Sequence, residues 1–306
     1  VNKFRGDPSL LANGLVDLEA RCGVPTLGVL PHVRGVALDA EDSLALEGAR
    51  PATALRALGD ALDIAVVRLP RISNFTDLDA LAIEPGVGVR LVDGVGALGS
   101  PDLVVLPGSK ATVADLDWLR ERGFDGAIER CRRDGSLVLG ICAGYQMLGH
   151  AIVDGVESGR GEVGGLGWLD VTTTFGVDKV VCRRRGVAMG CPVTGYEIHH
   201  GVTRRGAGAA GWVHLDDVHG EGDEGAVDLD DASMLGTNLH GLFEQDAFRA
   251  AFLVELGRRR EKTFVPAGVS FAAARDAQID LVADLVEAHV DLRALDAIIE
   301  QGALVS

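Results

Sequence analysis

No run of about 20 apolar residues occurs in this 306-residue chain, and no basic-then-apolar leader opens it. These absences argue against a spanning helix and a secretory leader, so the expected location is the cytoplasm. No Gly-x-x-x-x-Gly-Lys-Ser/Thr occurs either, which leaves the chain without a P-loop to hold nucleotide phosphates. Cationic runs are equally scarce. Arg183-Arg184-Arg185 is the one dense basic cluster in a chain of formal net charge −16, and that balance argues against nucleic acid or an anionic membrane as partner. Read locally, the cluster is a solvated turn or a contact for a small anion. The five cysteines (Cys22, Cys131, Cys142, Cys182 and Cys191) are odd in number and lack Cys-x-x-Cys spacing. They suit reduced thiols better than disulfides or zinc, and no metal site is expected. Asp39, Glu41 and Asp42 could attract magnesium but read better as a solvated acidic turn. No internal repeat or low-complexity tract is evident.

What the chain does have is enough apolar sequence, 47% against 24% charged, to bury one large domain and part of another. Residues 1–45 read as the tail of an α/β domain: a strand end at Val1–Asp7, a helix over about Ser9–Arg21, and a strand over Val24–Leu30 closed by Pro31. Residues 46–61 read as a linker. From 62 to 306 a second α/β series begins, with strands expected at Leu62–Arg68, Val87–Val92, Leu103–Leu106 and Leu137–Ile141. Helices are expected over about 112–121 and 125–134. This alternation predicts a doubly wound, mostly parallel sheet whose ligands lie beyond the carboxyl ends of the strands. Short strands follow at Gly167–Thr174, Gly195–His200, Gly211–Leu215 and Ser233–Asn238. The Gly- and Asp-rich segment Asp216–Asp231 reads as an exposed loop, and Ala247–Glu261 and Phe271–Glu300 read as helices.

Cys142 lies between Gly140 and Gly144, where the apolar strand gives way to a helical pattern. That is the layout of a nucleophile elbow, in which small neighbours allow a sharp turn that presents the side chain at the strand end. A helix starting at Ala143 aims its first amides at the sulfur, which favours thiolate over thiol. The alternative is a small buried cysteine in a tight turn. A nucleophilic thiol needs a base, and among eight histidines His240 ranks first because it follows an apolar strand-like run and precedes Gly241. His199 and His200 come second. Backbone amides at Gly108–Ser109 and Ala143 are the natural oxyanion donors.

Read in order, five segments resemble the glutamine amidotransferase half of the cobyric acid synthase family. They are Leu106-Pro-Gly-Ser-Lys110, Gly140-Ile-Cys-Ala-Gly-Tyr-Gln-Met-Leu-Gly149, Gly165-Leu-Gly-Trp-Leu-Asp-Val171, Gly195-Tyr-Glu-Ile-His-His-Gly201 and Gly236-Thr-Asn-Leu-His-Gly-Leu-Phe243. Val1-Asn-Lys-Phe-Arg-Gly-Asp7, Leu27-Gly-Val-Leu-Pro31 and Arg68-Leu-Pro-Arg-Ile-Ser-Asn-Phe-Thr-Asp77 extend the likeness over nearly the whole chain.

The resemblance implies an α/β, flavodoxin-like, class I-like amidotransferase fold preceded by the remnant of a dethiobiotin-synthetase-like domain. It implies that Cys142 attacks the side-chain amide of L-glutamine and that His240 serves as general acid and base. Gly108, Ser109, Ala143, Gln146, Tyr196, Glu197 and His199 are the implied oxyanion and glutamine contacts. In the full-length family enzyme the ammonia amidates carboxylates b, d, e and g of adenosylcobyrinic acid a,c-diamide, with ATP and Mg2+, in cobalamin biosynthesis. Related amidotransferases often place a glutamate two residues after the histidine. Here that position is Leu242, so His240 needs another orienting group, and Glu244 is not assigned to it. Asn2 matches a position that contacts the base in related nucleotide-binding domains. Without a phosphate loop the chain is expected to bind no cofactor and to perform slow or uncoupled glutamine hydrolysis at most. The alternatives are a glutaminase subunit acting on a lipid-linked peptidoglycan precursor, and an inactive docking fragment.

Overall fold

The computed structural model describes residues 1–33, 60–216 and 222–302. The acidic Asp39–Asp42 turn and most of the expected linker lie outside the described residues. The chain divides into two compact units, Val1–Leu38 with Ala272–Ser306, and Asp39–Phe271. The C-terminal helices thus group with the N-terminal residues, whereas the sequence reading attached them to the region 62–306.

In the second unit the first eight strands are β1 (Leu62–Val67), β2 (Ile72–Ser73), β3 (Val87–Val92), β4 (Leu103–Leu106), β5 (Gly108–Ser109), β6 (Leu137–Ile141), β7 (Ala151–Asp154) and β8 (Gly161–Gly164). Then come β9 (Val171–Ala188), β10 (Cys191–Arg205), β11 (Ala209–Ala210), β12 (Val213–Leu215), β13 (Gly222–Glu224), β14 (Ala226–Asp228) and β15 (Met234–Thr237). The central sheet runs β11-β14-β15-β6-β4-β1-β3. From β15 to β3 every pairing is parallel, and β14 and β11 add an antiparallel edge. The Leu-Val-Val-Leu of β4 and the Leu-Val-Leu-Gly-Ile of β6 are buried throughout, as strands covered on both faces require. Successive residues of β1 feed opposite faces: Ala65 and Val67 join one apolar cluster, Ile64 and Val66 the other.

A second sheet, β13-β12-β9-β7-β8 with β10 paired to β9, is built around a long hairpin. Met189 and Gly190 turn it with φ of 51° and 74°, the sign that a two-residue hairpin turn demands at both positions. The Arg183–Arg185 cluster lies within β9 and not in a turn, because that strand continues to Ala188, fourteen residues past the end expected at Thr174.

Two further expectations change here. The segment read as an exposed loop, Asp216–Asp231, contains β13 and β14 and a buried Glu224. Its glycines and aspartates mark tight strand connections, Gly225 turning with φ 70° between the two strands.

In the first unit a helix at Ala12–Cys22 follows the short turn Pro8–Leu11 and ends at Gly23 with φ 66°. Val24–Leu30 forms no strand: the bridges there are Phe4 with Pro31 and Gly28 with Val290, too few for a ladder. The helical C-terminal segment is two helices, Phe271–His289 and Leu292–Gln301. Asp291 interrupts them by accepting the Ala294 N–H at 3.1 Å as an N-cap. No described helix is long and apolar enough to cross a membrane.

Candidate active site

The turn after β6 is the tightest point of the second unit. Cys142 takes φ 53° and ψ −112°, a strained conformation for a residue with a side chain, and the helix Ala143–Leu148 starts directly after it. A Cβ on Gly144 would fall 1.9 Å from the Leu106 carbonyl oxygen, and one on Gly140 would fall 2.6 Å from the backbone of Tyr145. Both glycines are therefore required by close backbone approach. The Cys142 N–H donates to the Thr237 carbonyl at 2.7 Å, which ties the elbow to the end of β15. The side chain is 8% exposed.

His240 follows β15 and is buried. Its Nδ1 lies 2.6 Å from Asp77 Oδ2, and the Gly241 N–H donates to Asp77 Oδ1 at 2.7 Å. Asp77 is itself buried, so this carboxylate fixes both the ring and the backbone beyond it. Among the described residues His240 Nε2 has no hydrogen-bond partner. Burial works against the imidazolium, but the Asp77 carboxylate and then the nearby Cys142 sulfur outweigh it and raise His240 to about 10. Tyr196 stacks on the imidazole with ring centroids 5.2 Å apart, and its backbone exchanges both bonds of an antiparallel bridge with His240. A Cβ on Gly108 would lie 3.6 Å from His240 Cε1, which brings the Pro107–Gly108 turn to the same ring.

The other expected residues are placed differently. The Ser109 hydroxyl donates to Asp115 at 2.6 Å, and the same carboxylate receives the Arg71 N–H at 3.1 Å, so it locks two loops together. The Gln146 side chain accepts from Thr112 and donates to the His200 carbonyl. Glu197 and His199 lie on the buried face of β10, opposite Tyr196, where they line a separate polar cavity of about 290 Å3. Burial alone would raise Glu197, but His199, Arg184 and Cys182 hold it down at about 2. Asn2 belongs to the first unit and is exposed.

Asp77 ends the Arg68–Asp77 segment, and its contact with Nδ1 fills the place that Leu242 leaves open. With His240 lying 163 positions further along the chain, only the place of Asp77 at the end of an Asn-Phe-Thr-Asp turn hinted at this.

The family model for the CobB/CobQ-like glutamine amidotransferase domain matches residues 63–248. The chain belongs to that family. It is an enzyme of the glutamine amidotransferase class. Cobyric acid synthase from Rhodococcus jostii (strain RHA1) is 50% identical over 99% of this chain and 59% of its own length. The cobyric acid synthase of Streptomyces avermitilis is 47% identical over 99% of this chain and 59% of its own length. The amidotransferase described here thus spans about three-fifths of these relatives. A solved glutamine amidotransferase shares the fold, with a TM-score of 0.51, 21% identity, and coverage of 64% of this chain and 98% of its own.

The described residues contain no group of three or more potential metal ligands. Gly94-Val-Gly-Ala-Leu-Gly99 has dinucleotide-motif spacing after β3, but the three-residue 3-10 turn Val95–Ala97 lies inside it and the helix that motif opens is not there.

Proposed function

We propose that the chain hydrolyses glutamine through Cys142 and His240, with Asp77 as positioning residue. The observation that carries this reading is the buried Asp77–His240 pair beside a strained elbow cysteine. Cys142 Sγ attacks the side-chain carbonyl carbon of glutamine. The oxyanion so formed is received by the amides of Ala143 and Gly108, which a preorganised turn can aim without reorganisation. His240 returns its proton to the departing nitrogen as the tetrahedral adduct collapses to a thioester and ammonia. It then takes a proton from the water that attacks the thioester, and glutamate leaves with Cys142 restored. Asp77 keeps Nδ1 protonated and Nε2 turned to the reacting atoms, the role a buried carboxylate plays beside a catalytic imidazole.

The names of the relatives support a place in cobalamin biosynthesis. In that reading the ammonia amidates carboxylates b, d, e and g of adenosylcobyrinic acid a,c-diamide in the cytoplasm. The ATP- and Mg2+-dependent activation belongs to the part of the relatives that this chain does not match, and residues 1–45 are the remnant of that synthetase domain.

The test is incubation with a glutamine-analogue alkylator followed by peptide mass spectrometry. Labelling at Cys142, lost in Cys142→Ala, supports the reading. Absence of both labelling and glutamate release in a folded sample would overturn it. Adding the part of the R. jostii relative that lies outside the match and offering corrin acid against lipid-linked peptidoglycan precursor identifies the acceptor.

A further inference from the structure

Glu224 ends β13 and is 8% exposed, yet no cation pairs with it among the described residues. Its Oε2 accepts the Thr237 hydroxyl at 2.6 Å and its Oε1 accepts the Asn238 N–H at 2.6 Å. Thr237 Oγ1 in turn accepts the Leu239 N–H at 2.9 Å. These are the backbone groups that leave the ladder when β15 ends, and each would otherwise be buried without a partner. The same short segment offers the Thr237 carbonyl to the Cys142 N–H and delivers His240. One carboxyl therefore sets the spacing between elbow and imidazole without touching either.

We propose that Glu224 is a positioning residue for the Cys142–His240 pair, acting through Thr237, Asn238 and Leu239. This rests on the glutaminase reading only for its catalytic consequence. The cavity of about 290 Å3 opens onto Glu224, so its protonation follows the solvent. Facing it there are Glu197, His199 and Arg205 from β10, Arg184 from β9, Asp223 beside it and Tyr145 from the elbow helix. Burial pushes the Glu224 carboxyl up to about 7, despite the bonds from Thr237 and Asn238. A carboxyl accepts from both groups in either state, but only the ionised form places a full negative charge behind the segment that holds His240.

The experiment is the pH profile of iodoacetamide alkylation at Cys142, located by peptide mass spectrometry, in parallel with the glutamine-analogue labelling rate. Wild type, Glu224→Gln, Glu224→Ala and Thr237→Val are compared at equal folded fraction by circular dichroism. Glu224→Ala is expected to slow Cys142 alkylation below pH 6 about tenfold, because a displaced imidazolium no longer supports the thiolate. Glu224→Gln keeps its carbonyl oxygen for the Asn238 N–H and turns its NH2 to donate to Thr237 Oγ1, and it is expected to stay within about twofold while losing any inflection near neutrality. Thr237→Val, which keeps the shape but breaks the relay, is expected to move in the same direction as Glu224→Ala, and it answers the question if Glu224→Ala does not fold. Wild-type profiles in Glu224→Ala, or in Thr237→Val where the former is unfolded, overturn the proposal. A profile that responds in a protein the glutamine analogue never labels overturns the glutaminase reading and leaves the positioning role standing.

Discussion

Asp77 and Glu224 are both buried carboxyls, and both hold the segment from Thr237 to Gly241, yet their surroundings drive them apart. Asp77 faces an imidazole that it keeps charged, at 2.6 Å. Glu224 faces a hydroxyl and an amide, and burial pushes it up to about 7. Burial beside neutral donors, with no cation to offset it, favours the protonated form of Glu224. The elbow segment is thus clamped by one group that orients a proton and another that only holds backbone.

Removing charge on the Asp77 side should cost the most. Cys142→Ala is expected to abolish glutamine-analogue labelling, with glutamate release down about ten-thousandfold or more. Asp77→Asn preserves volume but takes the anion from His240. Glutamate release should fall at least a hundredfold, and the alkylation profile of Cys142 should shift as the imidazolium loses its partner. A wild-type rate in Asp77→Asn would break the comparison at its root.

Stability against pH sharpens the same contrast, because both sites lose stability as pH rises but over different windows. His240 is raised from its ordinary 6.5 to about 10. Its contribution is complete below pH 6.5 and is lost as pH rises through about 10. Glu224 is raised from 4.5 to about 7, so the folded state holds a proton that the unfolded chain has released. Its burial therefore removes stability as pH rises from 4.5 to 7, by roughly 3 kcal/mol, and no more beyond. Urea midpoints at pH 5, 7 and 9 should show Glu224→Gln gaining on wild type between the first two values. Asp77→Asn should lose its deficit between the last two and above. Gly144→Ala provides a purely steric control. A Cβ at 1.9 Å from the Leu106 carbonyl forces the elbow open, so the melting temperature should drop with little change in either pH slope.

The sequence made the elbow legible because everything it needs is local: an apolar run, two small residues and a helical pattern within 13 positions of chain. β3, β4 and β6 were expected at the bounds observed for the same reason. Asp77 escaped because its partner is 163 residues away and no periodicity links them. Glu224 was hidden by composition, since glycine and aspartate signal loops whether or not short strands run between them. Tyr196, Glu197 and His199 shared one motif on an expected strand, whose period of two put Tyr196 opposite the other two, but nothing in the motif told which face meets His240.

The sequence by itself determined the parallel α/β core and the turn that strains Cys142, and it singled out His240 among eight histidines as the candidate base. Only the tertiary structure decided what orients that histidine and what holds its segment, because both partners arrive from distant strands and loops. A buried carboxyl becomes an anion or an acid according to its neighbours in space, and the chain order does not record those neighbours.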